Sequence, residues 1–151
     1  DYMVYQEFTE GHLIWINISL VCSRLRSNNN MGNKQTGKYG ETLACEFLKK
    51  QGYKILERNF RIRGGEIDIV AKDRDYLVFV EVKARYSHEY GLPVESITPW
   101  KVRALLKSAA FYIQKIKWGD KPYRVDMVSV DFVDRQRDDP NLELYKNITD
   151  Y

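Results

Sequence analysis

Asp68, Glu81 and Lys83 are the side chains of this sequence whose types and spacing could do chemistry. They fall in two stretches that otherwise read as buried strand, GEIDIVA and YLVFVEVKAR. In the second stretch Tyr76, Val78, Val80, Val82 and Ala84 make one apolar face. The other face begins with Leu77 and Phe79 and then turns to Glu81, Lys83 and Arg85. A strand with one apolar face and a half-apolar second face belongs near the centre of a sheet, covered on both sides. Charge placed there costs desolvation unless it is paired or bound to an ion. Two carboxylates beside a lysine suit a hard divalent cation and its water: oxygen ligands for Mg²⁺, and an ammonium to steer or deprotonate the water. The competing interpretation is a plain salt bridge between Glu81 and Lys83 along the strand.

Whether the acids meet depends on the hairpin that joins the strands, predicted over 66–71 and 76–84 with KDRD between them. With a loop of even length the paired residue numbers sum to 147, placing Asp68 opposite Phe79 and Glu66 opposite Glu81. Asp68, Glu81 and Lys83 then share a face. A three-residue loop moves the sum to 148 and turns Asp68 away. Glu41 is a further candidate. On a helix predicted over 38–51 it lies about 20° from Leu48, at the margin of the apolar stripe, and can lean toward the sheet. It could equally be an acid favoured by the N-terminal end of the helix dipole.

The elements that must position these residues are legible. Leu43, Ala44, Phe47 and Leu48 share one face of the first helix, and Gly52 stops it. A strand over 53–62 ends at the Gly64–Gly65 turn, followed by the hairpin. Thr98 reads as an N-cap with Pro99 at the first helical position. Behind it Val102, Leu105, Leu106, Ala109, Ile113 and Ile116 form an apolar stripe, with Gly119 as the stop. Strands are predicted over 124–130 and 142–148. The order is α-β-β-β-α-β-β, an α/β fold with a central mixed sheet flanked by helices. On the far side of the second helix the 100° step places Trp100, Phe111 and Trp118 with Lys107 and Lys115. Large aromatics facing away from the core need a cover. The candidates are the 12–22 segment in cis, a second subunit, or stacked nucleobases; self-association as a homodimer is the expectation.

Composition sets the bounds. A chain of 151 residues, 44% hydrophobic and 13% aromatic, fits one domain with a sizeable core and not a disordered chain. No stretch approaches the length of apolar sequence that crosses a bilayer, so no membrane association is expected. Cys22 and Cys45 make no disulfide framework, and with His12 and His88 they show no zinc spacing, so a reducing cytoplasm is the expected compartment. The net charge of +3 permits a polyanionic partner. Charge is also segregated: residues 31–63 hold eight Lys/Arg against three acids, and 101–124 seven against one. Residues 64–100 between them hold four against seven. Basic segments around an acidic centre suit a nucleic-acid groove over a carboxylate cluster, and ordinary amphipathic helices produce the same pattern. Residues 1–30 read differently. The apolar run at 12–22 follows acids rather than a basic flank, unlike a signal peptide, and a triple Asn precedes Met31. The expectation is an N-terminal extension over 1–30 and a working domain over 31–151 that starts at Met31; a genuine N-terminal strand or helix capping the domain is the alternative.

GETLACEFLKKQGYKILERNFR, GGEIDIVAKD, VFVEVKAR and the helix opening at Lys101 together resemble the uncharacterised YraN-like bacterial proteins. That family is placed in the PD-(D/E)xK nuclease superfamily near archaeal Holliday-junction resolvases. The resemblance covers roughly residues 37–130. It implies a restriction-endonuclease-like core, with Asp68 as the central acid, Glu81 and Lys83 as the E-x-K pair, and Glu41 as the helix glutamate. Ile67 stands where the superfamily name has proline. The implied chemistry is hydrolysis of DNA phosphodiester bonds, at branched junctions in the resolvase-like case. Asp68 and Glu81 would hold Mg²⁺ or Mn²⁺, and Lys83 would position the attacking water. Arg85, Lys101, Arg61 and Arg63 would be nucleic-acid contacts, with plain solvated charge as the alternative. The YraN-like family itself has no settled activity, and fold does not guarantee function. A non-catalytic nucleic-acid-binding or repair-accessory protein and a protein-interaction module remain the competing readings.

Overall fold

The computed structural model describes residues 3–7, 13–17, 33–85, 94–132 and 140–149. Strands β1 (Met3–Glu7) and β2 (Leu13–Asn17) pair antiparallel, Met3 opposite Asn17, in a two-stranded sheet of their own. Met31 with the expected boundary beside it, and residues 12 and 18–22 of the segment expected as a cover, lie outside the described residues. Helix α1 spans Asn33–Lys50, beginning earlier than the predicted 38. Strands β3 (Lys54–Ile62), β4 (Gly65–Asp73) and β5 (Tyr76–Arg85) follow, then a 3₁₀ turn at Val94–Ser96 and helix α2 (Pro99–Lys115). Strands β6 (Tyr123–Asp131) and β7 (Asn141–Tyr145) complete an α/β fold with the predicted element order. The last strand stops before the predicted 148 because Asn147 takes a positive φ of 54° and turns its N–H onto Asp126.

The main sheet has the order β3-β4-β5-β6-β7. Only β5 and β6 are parallel, with α2 as the crossover between them. That makes β5 central, as its two largely apolar faces predicted. One face packs on α1: Leu43, Ala44 and Leu48 meet Ile69, Val78, Val80 and Val128. The other packs on α2: Leu105, Ala109 and Tyr112 meet Val70, Leu77, Phe79 and Met127.

Two close approaches set the helices against the sheet. A Cβ on Gly40 would lie 3.1 Å from the Ala84 Cβ, so α1 crosses the end of β5 at backbone range. A Cβ on Gly65 would collide with Ser108 Oγ and come within 3.0 Å of the Ala104 carbonyl oxygen. This contact moves the buried line of α2 away from the predicted stripe. Ser108 and Tyr112 are buried, whereas Val102 is only half-buried and Ile116 is exposed. The Ser108 hydroxyl is satisfied within the helix by the Ala104 carbonyl at 2.9 Å.

The expected outer aromatic face of α2 is corrected in part. The helix ends at Lys115, and Lys117, at φ 53°, reverses the chain, so the 100° step no longer holds at Trp118. Trp118 packs against the α2-side core, and its indole N–H donates to the Pro122 carbonyl at 3.2 Å. Lys115 stays exposed, lying over the Phe60 and Tyr112 rings and reaching Glu57 at 3.0 Å. Trp100 and Phe111 remain exposed, at 68% and 52%. Among the described residues no helix is long and apolar enough to cross a membrane.

Candidate active site

The β4–β5 turn is two residues, Arg74 and Asp75, and the pairs run Asp73 opposite Tyr76 to Ile69 opposite Val80. Their numbers sum to 149 rather than 147, because β4 runs two residues beyond the predicted 71, to Asp73, while β5 starts at Tyr76 as predicted. The parity is the same as far as Ile69, so up to that pair the side chains point as predicted. The β4–β5 pairs end at Ile69, one residue before Asp68. On the other edge of β4, Arg58 pairs with Ile69 and Phe60 with Ile67, bracketing Asn59, whose φ is 54°. Ile67 joins the α2-side core while Ile69 joins the α1-side core, so the strand rolls at Asp68 instead of alternating.

Asp68 therefore lies at the seam of β4 and β5. Its Oδ2 accepts the Val82 backbone N–H at 2.8 Å. Burial and the neighbouring Glu81 push its pKa up to about 7, against the lowering effect of that hydrogen bond. Glu41 from α1 raises it further and Lys101 from α2 lowers it, so both helices present charge to this carboxyl.

Glu81 is buried. Its Oε1 stands 3.1 Å from Lys101 Nζ, with side-chain exposures of 11% and 30%. Its Oε2 is fully enclosed and has no hydrogen-bond partner among the described residues. Burial raises the Glu81 pKa, with Lys101 and then Lys83 opposing. Burial acts to lower the Lys101 pKa, but Glu81 outweighs it and the net shift is upward. The backbone N–H of Lys101 is taken by its N-cap, Thr98 Oγ1, at 3.2 Å, which fixes the helix start while the side chain reaches the sheet.

The remaining expected site residues are spread around this pair. Lys83 is exposed and close enough to Glu81 to act on its charge. Glu41 is half-buried and accepts from Asn59 Nδ2 at 3.0 Å. Arg85, at the end of β5, lies toward Tyr145 of β7. Arg61 is exposed and pairs with Glu66 at 3.4 Å; Arg63 is exposed and its carbonyl accepts from Lys107 Nζ at 3.5 Å. Lys101, expected as a nucleic-acid contact, lies with its ammonium against Glu81 in this structure. Among the described residues no three His, Cys, Asp or Glu converge into a metal-holding group.

Residues 40–130 match the family described as Uncharacterised protein family UPF0102. The chain belongs to this family. A UPF0102 protein of Dehalococcoides mccartyi is 50% identical over 114 residues, 76% of this chain and 92% of its own length. One of Clostridium botulinum strain Loch Maree is 50% identical over 99 residues, 65% of this chain and 80% of its own. Another, of C. botulinum strain 657, is 44% identical over 116 residues, 76% of this chain and 94% of its own. The uncharacterised-family resemblance drawn from the GEID and EVKAR motifs is thus borne out. The UPF0102 segment contains Glu41, Asp68, Glu81, Lys83 and Lys101, and excludes β1 and β2.

Two sets of partners escaped the sequence. Asn59 was unremarkable in a strand pattern, although Asn at positive φ is among the tolerated cases. At the other end of the sheet, Arg124 pairs with Asp73 at 2.7 Å and with the fully buried Asp126 at 3.0 Å, and donates to Tyr53 Oη at 2.8 Å. Burial raises the Asp126 pKa, opposed by the Asn147 N–H and Arg124. The group borders a cavity of about 490 Å³ with Tyr76 and Lys146. Its charges satisfy one another, as a structural cluster requires.

Proposed function

We propose that this UPF0102 protein is a metal-dependent endonuclease that hydrolyses DNA phosphodiester bonds, with branched junctions as the first substrate class to test. The observation that carries it is the enclosed Glu81 Oε2, without a hydrogen-bond partner among the described residues, beside an Asp68 carboxyl that titrates near neutrality. A buried carboxylate oxygen with nothing to accept costs free energy unless a ligand completes it. The donor set fits Mg²⁺ or Mn²⁺: both acids offer hard oxygens, and Mg²⁺ is commonly bound by one or two carboxylates, with water and substrate phosphate filling the remaining positions. A third protein ligand is not required. When bound, the cation supplies Lewis acidity toward the phosphate and acidifies water.

The side chains supply the rest. Asp68 and Glu81 hold the cation, and Glu41, within electrostatic reach of Asp68, adds negative charge that strengthens the site. Lys83 is exposed at the rim, where its ammonium orients the attacking water. Lys101 brings positive charge toward the position where charge develops on phosphate. Arg85, Arg61 and Arg63 serve as backbone contacts farther out; the Arg61–Glu66 pair is exposed and exchanges readily for a phosphate. The likeness of GEID and EVKAR to the PD-(D/E)xK pattern supports the same chemistry. A cytoplasmic setting is proposed with it, in keeping with Cys45 as a buried free thiol.

The experiment is a panel of labelled single-stranded, duplex, flap and four-way-junction DNA with Mg²⁺, Mn²⁺ or chelator, run in parallel with Asp68→Asn. Metal-dependent cleavage lost in the variant supports the proposal. DNA binding with no cleavage under any condition would make the protein a non-catalytic binder or repair accessory instead.

A further inference from the structure

Lys101 holds the carboxylate that a divalent cation would need. Its Nζ is 3.1 Å from Glu81 Oε1, it arrives from α2 rather than from the sheet, and Asp68 also acts on it. Charge bookkeeping sets the consequence. Asp68, Glu81 and Lys101 sum to one negative charge when both acids are ionised, and a divalent cation added without rearrangement leaves one positive charge in a largely buried place. A phosphodiester carries the single negative charge that returns the sum to zero. The Lys101 backbone is pinned by Thr98, whereas its four-carbon stem is free to swing.

We infer that Lys101 is a displaceable internal counter-ion: divalent metal evicts its ammonium from Glu81, the ammonium moves onto the substrate phosphate, and metal and DNA therefore bind cooperatively. This rests on the proposed metal-dependent chemistry. It gives Lys101 a positioning role separate from that of Lys83, and because coupling is reciprocal, each ligand raises the affinity of the other.

The test is calorimetric titration of MnCl₂ into the full chain at about pH 8.5, above the Asp68 pKa of about 7. Lys101→Gln keeps a hydrogen-bond donor for Glu81 without the charge and is expected to bind Mn²⁺ about tenfold more tightly, within the ordinary range of coupling. Lys101→Arg keeps the charge and is expected to bind like the wild type. In a second measurement, a short DNA duplex is titrated by fluorescence anisotropy with and without CaCl₂. The wild type gains DNA affinity with the cation by a factor that shrinks in Lys101→Gln. Mn²⁺ binding no tighter in a folded Lys101→Gln, or wild-type DNA affinity indifferent to the cation, overturns the counter-ion role and leaves a metal site standing. No Mn²⁺ binding in either wild type or Lys101→Gln overturns both.

Discussion

Asp68 accepts the backbone N–H of Val82 at 2.8 Å, so a β4 side chain stands where the next strand would ordinarily offer a carbonyl. The contact comes one residue beyond Glu81, at the start of the charged half of β5. Asp68 is thus fixed in position, yet its pKa stands near 7 because burial and Glu81 outweigh this single donor. An acid held near neutrality by burial beside a second, buried acid is costly as structural cement, and perturbed groups of this kind concentrate at functional sites.

The first prediction is a pH dependence. An acid whose folded pKa lies above its unfolded value makes the folded state hold more protons between the two, so stability falls as pH rises from about 4 to about 7. Asp68→Asn retains an acceptor for Val82 and removes the charge. In urea unfolding it should be more stable than the wild type by about 1–3 kcal/mol at about pH 8, with the difference closing near about pH 4. Mg²⁺ at the higher pH should recover the loss in the wild type only. Parallel pH profiles for the two proteins would contradict the titration assigned to Asp68.

Lys83→Ala separates chemistry from binding. Orienting the attacking water is worth about 10²–10⁴-fold in turnover, while one exposed lysine contributes a single phosphate contact. Single-turnover cleavage should fall by that factor, with DNA affinity changed only a few-fold. Equal cleavage by wild type and variant would point to a contaminating nuclease.

Arg124→Met tests the opposite end of the sheet. The change leaves Asp126, fully buried, without its cation, which costs about 3–5 kcal/mol. Asp126→Asn keeps an acceptor for the Asn147 N–H and should cost less. Because this cluster has no part in the proposed chemistry, cleavage per folded molecule should be unchanged. Chemical denaturation together with the DNA assay reads both.

Self-association is proposed through the exposed side of α2, now reduced to Trp100 and Phe111. Sedimentation of the full chain at high micromolar concentration should show a dimer that weakens in Phe111→Ser. A monomer in both would remove the proposal.

Period-two alternation in YLVFVEVKAR, the Thr98–Pro99 start of α2 and the odd-sum hairpin were legible because each is a local rule acting over a few residues. They carried the element order, the central place of β5 and the line of Glu81 and Lys83. Three features were not local. Ser108 and Tyr112 replaced Val102 and Ile116 on the buried side of α2 because Gly65, far away in sequence, lets the helix settle where it does. Asp68 meets the Val82 N–H at the strand seam, across from Asn59, which adopts a positive φ on a different strand. Lys101 met Glu81 because two layers pack, and no spacing in the chain couples position 81 to position 101. Sequence alone determined which residues were charged, which strand they lay on and the alternation along β5, but not the direction of Asp68, where β4 stops alternating. Tertiary packing decided which charge neutralises which, because pairing between layers depends on how closely the backbones approach.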